Sequence, residues 1–141
     1  MGEQAERPMD GQTLPQGLID TAILIDASRK HPPAIQFMNE RKRDGMFFIS
    51  VIAVMELTQG CQNKRGLRES RRTVASASVL PITAPVSDRA AKLMERFWLS
   101  HSLEIPDALV AATALELGWP LYTRNVKHFR MIPNLRVIEP Y

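Results

Sequence analysis

Four side chains of this chain have the type and placing to do chemistry together: Asp20, Glu56, Asp107 and Asn125. Asp20 directly follows the apolar run Gly17-Leu18-Ile19, Asp107 follows Ile105-Pro106 at the head of ALVAATALEL, and Asn125 comes just past Pro120-Leu121-Tyr122. In parallel α/β sheets the loops of several strands converge at the carboxyl edge, which is where these three positions fall. Glu56 stands among Ile52, Val54, Met55 and Leu57, company in which a carboxylate needs a partner. Carboxylates gathered at one rim repel one another unless a hard cation binds them, and oxygen donors without a His or Cys cluster favour Mg²⁺ or Mn²⁺ over zinc. Taken singly, each residue also has a plain structural role: Asp20 as a helix N-cap, Asp107 as a first-turn acid, Glu56 on a solvated stripe with Gln59, Asn125 as a turn residue.

The elements that must carry these groups follow a repeated phrase of short apolar run, capping residue and helical stretch. Gly17-Leu18-Ile19 leads through Asp20 into TAILIDASRK, and Met46-Phe47-Phe48-Ile49 leads through Ser50 into VIAVMELTQG. Pro32-Pro33 opens an amphipathic helix, AIQFMNERKR. A basic helix is expected between Lys64 and Ala77, then a strand around Val79 to Ile82, then a helix capped by Ser87 with Ala90, Leu93, Met94 and Phe97 on its packed face. The segment after Pro106 is apolar nearly all round up to Gly118, so it is expected to be buried. Short strands at Pro120-Leu121-Tyr122 and Leu135 to Ile138 complete an α/β alternation that implies a mainly parallel sheet covered by helices.

With 141 residues and 45% hydrophobic side chains, the chain fits one domain. Residues 1–16, with Gly2, Pro8, Gly11 and Pro15, read as a flexible extension, and the fold is expected to occupy 17–141. No apolar run approaches the roughly 18 residues of a membrane span, and the polar N-terminus and lone Cys61 fit a cytoplasmic chain. Net charge is only +3, too little alone to declare a nucleic-acid binder. The cations are concentrated, however. QNKRGLRESRR holds Lys64, Arg65, Arg68, Arg71 and Arg72 against Glu69, and Arg124, Lys127, Arg130 and Arg136 lie in an acid-free stretch. A solvated helix face accounts for the first of these when it is taken alone.

The segments LIDTAILID (18–26), ISVIAVMELTQG (49–60), IPDALVAATALELGWPLYTRNVKHF (105–129) and IPNLRVIEPY (132–141) resemble the PIN-domain ribonucleases, specifically VapC-type toxins of VapBC toxin–antitoxin systems. The resemblance implies a PIN-like three-layer fold and carries the family's site onto Asp20, Glu56, Asp107 and Asn125. It implies metal-assisted hydrolysis of RNA with Asp20 and Asp107 holding Mg²⁺ or Mn²⁺, and Glu56 and Asn125 acting directly or through water. Asn125 departs from an all-acidic quartet and removes one charge. Beside such a site Arg124 and Lys127, which flank Asn125, become the expected RNA contacts. A VapB-type antitoxin inserting a segment near the site and a toxin homodimer are implied as well, with the helices at 33–43 and 51–59 as candidate surfaces. Thr21 completes the family's usual Asp-Thr pair. His128 reads as a surface group or a neighbour of the ligands.

A catalytically weak PIN-fold module that binds RNA or protein is the alternative, although it predicts disrupted carboxylates. A receiver-like or phosphatase domain would want an acid beside Asp20 and a Lys after a late strand, and the sequence offers neither convincingly.

Overall fold

A computed structural model describes residues 5–141. Five short strands, β1 (Leu18–Ile19), β2 (Phe48–Ser50), β3 (Ser78–Leu80), β4 (Leu121–Tyr122) and β5 (Val137–Ile138), form one sheet in the order β3-β2-β1-β4-β5. Every pairing is parallel. The six helices are α1 (Thr21–Ser28), α2 (Pro32–Arg43), α3 (Val51–Gln59), α4 (Lys64–Ala75), α5 (Ala84–His101) and α6 (Ile105–Leu117). From β1 the chain winds outward through β2 to β3, then crosses back to place β4 on the other side of β1. The gap between β1 and β4 is therefore the switch point of the sheet, the place where crevices open in such folds.

The strands are two or three residues long, yet their alternation builds two cores. Leu18, Leu121 and Val137 face α5 and α6, packing with Val86, Ala90, Phe97, Val110 and Ala111. Their chain neighbours Ile19, Tyr122 and Ile138 point to the opposite side and pack with Ile23, Leu24, Phe37, Met38 and Ala53 of α1, α2 and α3. A parallel sheet buried on both faces needs apolar side chains at consecutive positions, and these dipeptides supply them. The three-layer expectation holds. Gly17 matters here because a Cβ at that position would lie 2.6 Å from the Tyr122 ring and 2.8 Å from the Pro120 carbonyl oxygen. Only glycine lets β1 start that close to β4.

Local rules account for most boundaries. Ser50 caps α3 by accepting from the Ile52 N–H at 3.0 Å, and Gly118 ends α6 at φ 67°. Two expectations change. α5 starts four residues earlier than expected, capped by Thr83 rather than Ser87, with Pro85 in its first turn. The strand expected around Val79 to Ile82 is Ser78–Leu80.

Of the expected extension 1–16, residues 1–4 lie outside the described residues. Within residues 5–16, contacts to the domain include those of Glu6, Arg7, Leu14 and Pro15. Glu6 bridges to Ile138 and so covers the free edge of β5. Arg41, in the amphipathic helix α2, is buried. Its guanidinium stacks on Phe37 and Tyr122 and donates to the Pro15 carbonyl at 2.7 Å. The Tyr122 hydroxyl donates to the same carbonyl. Cys61 is half-buried with its thiol on the Leu57 carbonyl.

Candidate active site

Asp20 continues β1 by one residue: its N–H donates to the Tyr122 carbonyl at 2.9 Å, which sets its carboxylate at the mouth of the β1–β4 gap. It occupies the N-cap position of α1 in extended conformation, but its side chain does not cap. Instead Asp20 Oδ2 accepts from Thr123 Oγ1 at 2.7 Å, a hydrogen bond between the ends of β1 and β4. Thr123 is fully buried, and the same hydroxyl oxygen accepts from the Asn125 N–H at 2.9 Å. Thr21, next in the chain, donates from Oγ1 to Glu56 Oε1 at 2.7 Å. That bond satisfies the half-buried carboxylate which the sequence left in apolar company. Asp107, in the first turn of α6, lies 3.2 Å from Nδ1 of His128.

The electrostatics join these groups. Burial pushes the Asp20 carboxyl above the usual carboxylate range; the Thr123 hydrogen bond opposes this and repulsion from Glu56 adds to it. Asp107 is pushed up to about 6 by burial and then by Asp20; His128 opposes the shift, and Glu56 and Glu104 add to it. Three carboxylates from β1, α3 and α6 thus feel one another, and the basic group acting on both aspartates is His128.

Such a donor set is all hard oxygen, and burial first, then the neighbouring carboxylates, raises the proton affinity of Asp20 and Asp107. A hard divalent cation fits that chemistry. Among the described residues no three His, Cys, Asp or Glu side chains close around an ion by themselves. Asp20 and Asp107 offer oxygen donors of the kind that Mg²⁺ or Mn²⁺ would take, with further oxygens needed to complete a shell.

Asn125 is linked to Asp20 through the Thr123 hydroxyl. It is exposed and precedes the 3₁₀ turn Val126–His128, and its backbone N–H is what ties it to Thr123. Lys127 is exposed in that turn. Arg124 behaves differently from the expected RNA contact: its guanidinium donates to Glu139 Oε2 at 3.3 Å and to the Tyr141 carbonyl, and lies over the Tyr141 ring. Thr123 is not among the residues that the sequence points to. Its signal was a hydroxyl one residue past the β4 run, in the same relation to β4 as Asp20 is to β1. His128 was assigned to the surface or to the neighbourhood of the ligands, and its contact with Asp107 gives it the second place.

A cleft of about 920 Å³ opens between α1, α2, α3 and α4, reached by Glu56 but not by Asp20 or Asp107. Glu56 lies at its wall, with apolar Leu24, Ile35 and Met38 and basic Lys42 and Arg72.

Residues 17–133 match the PIN domain family. Ribonuclease VapC10 of Mycobacterium tuberculosis is 35% identical over 120 residues, covering 84% of this chain and 90% of that protein. Ribonuclease VapC19 of the same organism is 32% identical over 130 residues, covering 88% and 98%. A toxin–antitoxin complex from Klebsiella pneumoniae contains a chain that superposes with a TM-score of 0.70 at 29% identity, covering 89% of this chain and 98% of that one. A chain of the DNA-bound VapBC from Salmonella typhimurium gives a TM-score of 0.75 at 19% identity, covering 88% and 97%, a likeness of fold. With its parallel sheet, its carboxylates at the β1–β4 switch and relatives matched along nearly their whole length, the chain belongs to the PIN-domain family, in its VapC branch.

Proposed function

We propose that this protein is a metal-dependent endoribonuclease, the toxin of a type II toxin–antitoxin pair, which hydrolyses RNA phosphodiester bonds in the cytoplasm and so inhibits growth. The observation that carries this reading is the meeting of Asp20, Glu56 and Asp107 from three separate elements with so little positive charge beside them. Bound Mg²⁺ or Mn²⁺ supplies Lewis-acid polarisation of a phosphoryl oxygen and a bound water of lowered pKa.

The chain's own residues do the positioning. Asp20 and Asp107, ionised, present the ligand oxygens. Thr123 fixes the Asp20 carboxylate through Oδ2, Thr21 fixes Glu56, and His128 steadies Asp107. Asn125 offers a neutral amide where a fourth acid would add charge. Lys127 supplies a positive contact for a phosphate next to the scissile one. The cleft beside Glu56 joins an apolar floor to a basic wall, a surface suited to a segment of a VapB-type antitoxin. A homodimer is part of the same reading.

The test expresses the wild type and Asp107→Asn, scoring growth arrest in cells and cleavage of RNA by the purified, folded proteins with and without Mg²⁺. The expected result is Mg²⁺-dependent cleavage by the wild type and a loss of about 100-fold or more in the variant, a metal ligand being worth at least as much as its supporting neighbours. RNA binding without cleavage would favour the binding-module alternative. Wild-type cleavage by folded Asp107→Asn would refute the metal site.

A further inference from the structure

Arg124 sits between the residue that holds Asp20 and the residue proposed as the fourth site group, and its own side chain turns to the C-terminal segment. Its Nη1 donates to Glu139 Oε2 at 3.3 Å and to the Tyr141 carbonyl. Its Nε lies 4.0 Å from Asp26 Oδ2, and its planar head stacks 4.9 Å from the Tyr141 ring centre. Tyr141 in turn donates from its hydroxyl to Asp26 Oδ2 at 2.8 Å and packs against the rings of His31 and Phe37. Glu139 is held on its other flank by Arg7 at 3.0 Å.

These contacts close a frame around α1. Asp20 at the head of that helix is bonded to Thr123, and Asp26 further along the same helix is bonded to Tyr141 and faces Arg124. The loop 123–125 is thus joined to one helix at two levels, by a hydroxyl at the site and by a guanidinium behind it. With Nη1 on a carboxylate and a carbonyl and its face on an aromatic ring, the guanidinium is turned toward the C-terminal segment.

We infer that Arg124 is a positioning residue: latched by Tyr141, Glu139 and Asp26, it holds the 123–125 loop so that Thr123, anchored by the Asn125 N–H, orients Asp20. The inference rests on the proposed function for its catalytic consequence and on the frame itself for its structural one. The latch requires a flat, forked cation. Lysine keeps the charge but cannot stack and bond in two directions at once.

The experiment compares wild type, Arg124→Lys, Arg124→Ala and Tyr141→Phe by steady-state cleavage of an RNA oligonucleotide with Mg²⁺ at several salt concentrations. Amide hydrogen exchange of residues 123–126 is followed alongside. The latch predicts that kcat falls about ten-fold in both Arg124 variants and less in Tyr141→Phe. KM and its salt dependence stay within about two-fold, lysine gives no rescue, and the Asn125 amide exchanges faster. A raised KM with kcat retained, rescue by lysine and a salt slope shallower by about 1 would overturn the latch in favour of a direct phosphate contact. Unchanged kcat per folded molecule with unchanged exchange at 123–126, and only a lower Tm, would overturn it as well. Should the wild type cleave no RNA, the proposed function fails, and the exchange rates alone decide the latch: faster at Asn125 in the variants supports it, and unchanged rates sink it.

Discussion

Asp20 and Asp26 lie on the same short stretch of chain, and the protein treats them in opposite ways. Asp26 is given a phenol hydroxyl and a guanidinium. Asp20 is buried deeper and receives one threonine hydroxyl while facing the carboxylates Glu56 and Asp107. At the C-terminal latch, acids and cations compensate one another, which is how a protein secures structure. Around Asp20 and Asp107 the compensation is left short, which destabilises the empty fold and favours whatever cation enters. A helix two turns long separates a joint from a workplace.

The sharpest way to break this contrast is to neutralise each side. Asp107→Asn is expected to lower RNA cleavage by about 100-fold or more, yet to raise the metal-free protein's unfolding free energy by on the order of 1 kcal/mol, because it removes a charge that the site keeps uncompensated. Asp26→Asn should do the reverse, lowering Tm with a far smaller effect on cleavage. Parallel denaturation and rate measurements check both, and a lower metal-free stability in Asp107→Asn would undo the contrast.

Acidity sharpens the same point. Asp107 titrates near 6 in the folded chain and near 3.8 when unexposed to its neighbours, so between those values the folded state binds more protons than the unfolded one. Its contribution to stability is fully present below the lower value and is lost as pH rises through about 6. The metal-free protein is therefore expected to gain stability as pH falls from 7 toward 5, by at most about 1.4 kcal/mol per pH unit for one group. Cleavage and Mg²⁺ affinity should fall over the same interval as the ligand protonates. Thermal melts with chelator and initial rates with Mg²⁺, run across that range, should move in opposite directions.

A smaller effect is expected from Thr123→Val, which keeps shape and removes the hydroxyl. Asp20 loses its one side-chain donor, and cleavage should drop about 10-fold or somewhat more. Thr21→Val, acting on the more exposed Glu56, should cost less. The order of the two rates is the check: equal or reversed losses would mean that Asp20 is not the better-held ligand.

Much of this was legible because it is local. Ser50 stands between an apolar run and a helical one, and its cap follows from that position. Asp20 and Asp107 could be placed at the site edge because each follows directly on a strand-like run or a helix start. The α5 boundary was misread between two hydroxyl residues of similar capping power, although Pro85 in the first turn favoured Thr83. What stayed hidden is what joins distant positions. The bond from Thr123 to Asp20 spans 103 residues and that from Tyr141 to Asp26 spans 115. Arg41 looked like one more charge on a polar face; only the fold brings Tyr122 and the Pro15 carbonyl against it. Arg124 was read from its neighbour Asn125, whereas its side chain answers to residues 139 and 141. The family resemblance supplied the quartet, and the structure supplied the difference between three carboxylates in mutual reach and an asparagine held beside them by its backbone.

The central claim is that Asp20 and Asp107 hold a hard cation that RNA cleavage requires. Its most direct test follows cleavage of an end-labelled RNA oligonucleotide by the purified protein through three stages: with Mg²⁺, after excess chelator, and after Mg²⁺ is restored. Cleavage should run, stop and resume, while Asp107→Asn, shown to be folded, stays silent throughout. Cleavage that continues at the same rate in chelator, or that the folded variant performs as well as the wild type, would contradict the claim.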